Sequence, residues 1–97
     1  MERFTESATD RKVYVDVDAT FEADGHLIPR AIYWKDGSRF EITGVRSCVS
    51  ATALQCGSFG KRYTVIINDR NSTFLFYEQN TRWDTLSPGR WFVERKE

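Results

Sequence analysis

Apolar and polar residues alternate along several short stretches of the chain, which is the pattern of β-strands with one buried face. The clearest stretch is 13–21, where valines, an alanine and a phenylalanine hold the odd positions. Glu22–Gly25 is typical of a turn, and Gly25 suits a positive φ. Pro29 is predicted to open a second strand, because proline is tolerated at the first residue of a strand.

The remaining strands follow the same logic. Asp36-Gly37 is a strong hairpin signal and predicts a third strand over residues 39–43, with a bend or bulge at Gly44 and a continuation at Val45. Further strands are predicted at 62–68, 73–78 and 90–95. No window carries a helical period. The chain is therefore predicted to be all-β, a small bent antiparallel barrel of five to six strands, SH3-like or similar.

The chain of 97 residues has room for one domain. We predict a loosely ordered leader over residues 1–10 and a single barrel over residues 11–97. The absence of a long apolar run or signal segment excludes a membrane span and favours the cytoplasm. Fourteen Lys and Arg balance fourteen Asp and Glu, so the net charge is zero. Residues 1–49 carry 7 basic and 9 acidic groups, whereas residues 50–97 carry 7 and 5.

A neutral segment separates these two halves. Residues 47–60 are mostly small and contain no charged side chain. We interpret them as a loop or a bent strand end, which would be prone to association with other proteins if exposed. Val49, Leu54 and Phe59 are the predicted contact residues of this segment, for a protein partner or a second copy of the chain.

A spaced pattern runs from a proline through an aromatic strand ending in tryptophan, a Gly-Arg turn followed by an aromatic residue, an R-Y-x-V strand and a closing aromatic hairpin. Its residues are Pro29, Tyr33-Trp34, Gly37, Arg39-Phe40, Arg62–Val65, Leu75, Tyr77 and Trp91. Over roughly two-thirds of the chain this pattern resembles a class of small bacterial β-barrel proteins of unknown function. The resemblance implies a fold and no particular chemistry.

Catalytic and metal-binding patterns are weak. The single histidine, His26, lies in a predicted turn beside Asp24, and we expect it to be solvent-exposed. Asp16 and Asp18 are predicted to lie on a solvated strand face. Cys48 and Cys56 are spaced too widely for a typical structural zinc site, so two buried free thiols are favoured over zinc or a redox pair. We expect no enzyme activity, no cofactor and no metal.

Binding is the favoured function class. Arginine stands beside an aromatic residue three times in the second half of the chain, a composition that suits base stacking and phosphate contacts. The candidate nucleic-acid face comprises Arg39, Arg62, Tyr63, Arg82, Trp83, Arg90 and Trp91. The alternative is that these rings fill a small core. Zero net charge disfavours strong phosphate binding, so interaction with protein is placed ahead of interaction with nucleic acid.

Overall fold

The structure, a computed structural model, describes residues 12–51, 60–79 and 86–94. The predicted leader, residues 1–10, lies outside them. Their secondary structure consists of six strands: β1 Lys12–Phe21, β2 Leu27–Tyr33, β3 Arg39–Ala51, β4 Gly60–Ile67, β5 Asn71–Gln79 and β6 Gly89–Glu94. Within these residues no helix is long and apolar enough to cross a membrane.

Each strand pairs antiparallel with the next, and β6 pairs with β1, so the sheet closes into a barrel. The predicted all-β barrel is confirmed, with six strands. Its interior follows from strand alternation, since every second residue points inward. The core consists of Ile32, Ile42, Tyr63, Val65 and Leu75, with Val15, Val17, Ile67, Tyr77, Trp91 and Val93 packed against it.

Short turns connect strands at one end of the barrel. Asp36-Gly37 forms the predicted hairpin, in which Gly37 has a φ of 92° and its N–H donates to the Trp34 carbonyl at 3.0 Å. Asn68 and Asp69 turn β4 into β5 with φ values of 52° and 62°. Such left-handed conformations are tolerated by Asn and Asp better than by most residues.

Three bulges bend the barrel wall. On β3, Ile42 and Gly44 pair with Ile67 and Ile66, so the residue between them, Thr43, is extra; Arg46 is extra in the same way. The predicted bulge next to Gly44 is therefore confirmed. β3 continues through Ala51, so the start of the segment 47–60 is a strand end, whereas residues 52–59 lie outside the described residues.

The third bulge lies on β2. Asp18 pairs with Ala31 and Ala19 with Pro29, which leaves Arg30 extra. The predicted strand start at Pro29 is wrong, because β2 begins at Leu27. Proline is accepted inside the strand here because a bulge interrupts the ladder at this point.

Candidate functional site

The barrel wall opens between β2 and β3. These two strands pair at three positions, Ala31 with Glu41, Ile32 with Phe40 and Tyr33 with Arg39. Beyond Glu41, β3 continues for ten residues along β4. In the described part of the chain, no strand pairs with the other edge of β3 over residues 42–51. Backbone donors and acceptors along such an edge are available to an additional strand.

The exposed edge carries little charge. Residues 47–51 read Ser-Cys-Val-Ser-Ala, and the nearest charged residue along β3, Arg46, lies in a bulge. Val45 and Val49 are 39% and 44% exposed. Natural edge strands are commonly protected by lysine, proline or bulges. Here the bulges interrupt residues 43–46, and residues 47–51 have none of these protections among the described residues.

A cavity of about 680 Å³ occupies the opening at this end of the barrel. Phe21, Leu27 and Val45 are among its apolar lining residues, and Tyr63 and Tyr77 separate it from the core. Its volume falls within the range of roughly 300–1,000 Å³ typical of small-molecule sites. The mouths of β-barrels are common places for such sites.

Tyr63 links the two sides of the opening. It is 3% exposed, and its hydroxyl donates to the Leu27 carbonyl oxygen at 2.6 Å. Burial raises the pKa of Tyr63, and the neighbouring Cys48 raises it further. The hydroxyl therefore stays protonated and remains a donor at neutral pH.

Replacing Tyr63 by phenylalanine is expected to lower the free energy of unfolding by about 1 kcal/mol, because the Leu27 carbonyl loses its donor. Because the folded pKa of Tyr63 is raised, the wild type also loses stability as the pH rises above the ordinary value of 10.0. Urea unfolding at pH 7 and pH 10.5 measures both effects. An equal loss of unfolding free energy between pH 7 and pH 10.5 in wild type and Tyr63→Phe would contradict the raised pKa of Tyr63 as its cause.

The described arginines and aromatic residues of the candidate nucleic-acid face point to opposite sides of the barrel wall. Tyr63 and Trp91 point into the barrel, where their ring centroids are 5.5 Å apart. Arg62 and Arg90 point outward, because neighbouring residues of a strand alternate in direction. Exposed Arg39 donates to the Tyr33 hydroxyl at 3.2 Å. The other two predicted members, Arg82 and Trp83, lie outside the described residues.

Side chains from five strands form a continuous row on the outer face of the barrel. Strand register aligns Val49, Arg62, Phe76, Phe92 and Tyr14. The Phe76 and Phe92 rings are stacked at 4.8 Å and fully buried. This row joins the two predicted sets, because Val49 of the neutral segment lies directly opposite Arg62. The remaining predicted contact residues of that segment, Leu54 and Phe59, lie outside the described residues.

The outer arginines already contact aromatic rings of the protein itself. The Arg62 guanidinium lies 4.5 Å from the centroid of Phe74, and that of Arg90 lies 4.1 Å from Tyr14. The two rings are 46% and 40% exposed. A base stacking on either ring would compete with the guanidinium for its face.

Glu78 binds Lys12 and Arg90 at one end of the outer face. Its carboxylate accepts from Lys12 at 3.0 Å, from the Tyr14 hydroxyl at 2.9 Å and from Arg90 at 3.2 Å. Burial by itself would raise the pKa of Glu78, but the bonds from Lys12 and Tyr14, the charge of Lys12 and the bond from Arg90 together lower it. The carboxylate thus offsets one of the two positive charges that a phosphate would otherwise meet.

Cys48 is exposed, so the prediction of a buried thiol is wrong for this residue. Its side chain lines the cavity rather than the closed core, because β2 no longer pairs with β3 beyond Glu41. Cys56 lies outside the described residues.

Three potential metal ligands meet on the turn between β1 and β2. Ligand atoms of Glu22, Asp24 and His26 lie within 4.8 Å of one another, and all three residues are exposed. The Asp24 carboxylate contacts the His26 ring at 2.9 Å, which raises the pKa of His26 and lowers that of Asp24. The predicted exposed positions of His26, Asp16 and Asp18 are confirmed. Hydrogen bonding within the turn accounts for the arrangement of His26 and Asp24.

Comparisons with known proteins give no match among protein families, curated proteins or solved structures. The resemblance to small bacterial barrels and the finer SH3-like description stay predictions. Function is therefore inferred from the site itself.

Proposed function

We propose that this domain is a non-enzymatic protein-binding module whose β3 edge accepts an additional antiparallel strand from a second copy of the chain. The observation that carries the proposal is the divergence of β2 from β3 after Glu41, which leaves residues 42–51 without a second strand partner among the described residues. Strand addition at a sheet edge is a common mode of protein recognition.

A second copy fits the edge for reasons of symmetry and charge. Antiparallel pairing of β3 with itself about a two-fold axis uses the same edge on both copies. Residues 47–51 contain no charged side chain, so like charges do not oppose one another across the axis. The partly exposed Val45 and Val49 would lose contact with water on association.

Nucleic acid is disfavoured by the charge arrangement on the outer face. Glu78 binds Lys12 and Arg90, and Arg62 lies over Phe74. A phosphate-binding groove needs cations that are available for counterion release. We also propose a cytoplasmic location, because an exposed thiol such as that of Cys48 suits a reducing compartment.

Replacing Val49 by lysine is expected to weaken self-association about tenfold, because the two copies would bring positive charges close together at the shared edge. Sedimentation velocity and light scattering over a range of concentrations measure the dimer dissociation constant. Ser72→Lys is the matched control, since exposed Ser72 lies on β5 away from this edge and receives the same charge.

Wild type is expected to dimerise as its concentration rises, and Ser72→Lys to follow it. A protein that stays monomeric at every concentration, or equal dissociation constants for Val49→Lys and Ser72→Lys, would refute the proposal. A monomer that binds short oligonucleotides with strong salt dependence would instead assign the outer face to nucleic acid.

A further inference from the structure

The residues that line the cavity between β2 and β3 change from polar at its mouth to apolar toward the core. On the inward face of β4, Lys61 lies at the mouth, whereas Val65 is in the closed core. On β5, Gln79 lies at the mouth and Leu75 in the core. Inward-facing strand positions of a small barrel are ordinarily filled by packed side chains. At this end they instead surround a volume of about 680 Å³.

The cavity presents apolar surface that the described residues do not cover. Phe21 lies at its rim and is 66% exposed, and Val45 on the facing strand is 39% exposed. Leu27 and Ile28 add aliphatic surface from β2. A concave apolar wall of this kind gains free energy when a ligand displaces its water.

The charge of the lining selects the polar group of the ligand. Lys61 contributes an amine, and among the described lining residues there is no carboxylate. The shallower cavity of about 320 Å³ at the other end of the barrel includes Glu94, so it lacks this selectivity. An ammonium donates strong charge-assisted hydrogen bonds to carboxylate or sulfonate oxygens.

We propose that the cavity binds an amphipathic carboxylate, with its apolar chain between Phe21 and Val45 and its carboxylate on Lys61. The chain lies against Leu27 and Ile28 and ends above Tyr63. The size of the cavity, the exposed apolar rim and the positive charge of Lys61, with no carboxylate among the described lining residues, point to the same ligand class. One copy of the chain forms the site, so the proposal does not rest on self-association. A strand added at the β3 edge would, however, lie beside Val45 and share the opening with the ligand.

Decanoate is the probe, and decanol and decyltrimethylammonium are its uncharged and cationic counterparts, all used below their micelle-forming concentrations. Heteronuclear NMR titration of the full chain is expected to show saturable shifts at residues 21, 27–28, 45 and 61–63. Decanoate should bind about tenfold more tightly than decanol, because only the carboxylate pairs with Lys61.

Lys61→Gln is expected to weaken decanoate binding about tenfold and to leave decanol binding unchanged. Lys35→Gln is the matched control, because exposed Lys35 lies in the turn at the opposite end of the barrel. Both substitutions are at exposed positions, and the dispersion of the NMR spectrum reports whether each variant folds. Val45→Phe, which fills part of the cavity, should weaken both probes.

Absence of saturable shifts at the cavity, equal affinity for decanoate and decanol, or equal effects of Lys61→Gln and Lys35→Gln would each overturn the proposal. The Val49→Lys variant separates it from self-association. Val49 is not among the described residues that line the cavity, so this variant should bind decanoate at least as tightly as wild type even when it no longer dimerises.

Discussion

Glu78→Ala is expected to lower the free energy of unfolding by about 3 kcal/mol. The carboxylate is 5% exposed and accepts three hydrogen bonds, and removing it leaves the Lys12 amine with a 14% exposed side chain and no counter-ion at that position. A charge that loses its partner in a poorly hydrated place is costly. Urea unfolding monitored by circular dichroism at pH 7 gives the measurement.

The pH dependence of the same variant tests the cause. The pKa of Glu78 is lowered from its ordinary value of 4.5 in the folded protein, so the unfolded state takes up the proton first. The stabilisation is present above pH 4.5 and is lost as the pH falls through the lowered folded value. The gap between wild type and Glu78→Ala should therefore narrow in acid.

Glu41→Gln is the matched control for this prediction. Its carboxylate is 61% exposed and lies 4.0 Å from Arg39, so its contribution should be below about 0.5 kcal/mol. Equal losses for Glu78→Ala and Glu41→Gln, or a gap between wild type and Glu78→Ala that stays constant down to pH 3, would show that the buried cluster does not stabilise the fold.

Gly89→Ala is expected to lower the free energy of unfolding by about 2 kcal/mol through overpacking. A Cβ atom at Gly89 would lie 2.5 Å from the Glu78 carbonyl oxygen and 2.6 Å from the Tyr77 hydroxyl. The first neighbour is backbone of the adjacent strand, so β5 and β6 must separate to admit it. The urea midpoint should fall with little change in slope, as expected for a loss of stability without a change of unfolded state.

Gly44→Ala distinguishes steric overlap from a general effect of glycine replacement. Its Cβ would meet Ile66 at 3.5 Å, which is ordinary van der Waals contact, so a change within about 0.5 kcal/mol is expected. Gly89→Ala with stability equal to wild type would show that β6 moves away from β5 at no cost. A comparable loss in Gly44→Ala would attribute the effect to the backbone rather than to the close approach.

Most strand positions could be predicted because their signals are local. Alternation over residues 13–21 reflects the two-residue period of a strand, and Asp36-Gly37 supplies the positive φ that its turn requires. Proline misled the prediction for β2, since the sequence around Pro29 does not show that a bulge from β1 pairing accommodates it.

The candidate site was less accessible from sequence. The two-residue period of a strand could have indicated that Arg62 and Tyr63 point to opposite faces of the sheet. The structure shows this arrangement, with Tyr63 in the core and Arg62 on the outer face. The partner rings Phe74 and Tyr14, by contrast, come from other strands and depend on long-range register. The sequence signal for the cavity was a charged residue, Lys61, at an inward-facing position of β4. This signal can be recognised only when the structure shows which face of β4 points inward.

The sequence by itself determined that the chain forms short antiparallel strands, where most of them lie, and that residues 47–60 carry no charge. These properties depend on backbone preference and on neighbours within a few residues. The tertiary structure decided that β2 leaves β3 after Glu41, that Glu78 forms ion pairs with Lys12 and Arg90, and that Cys48 faces an open cavity. Those outcomes depend on closure of the barrel and on three bulges, which set contacts between residues far apart in the chain.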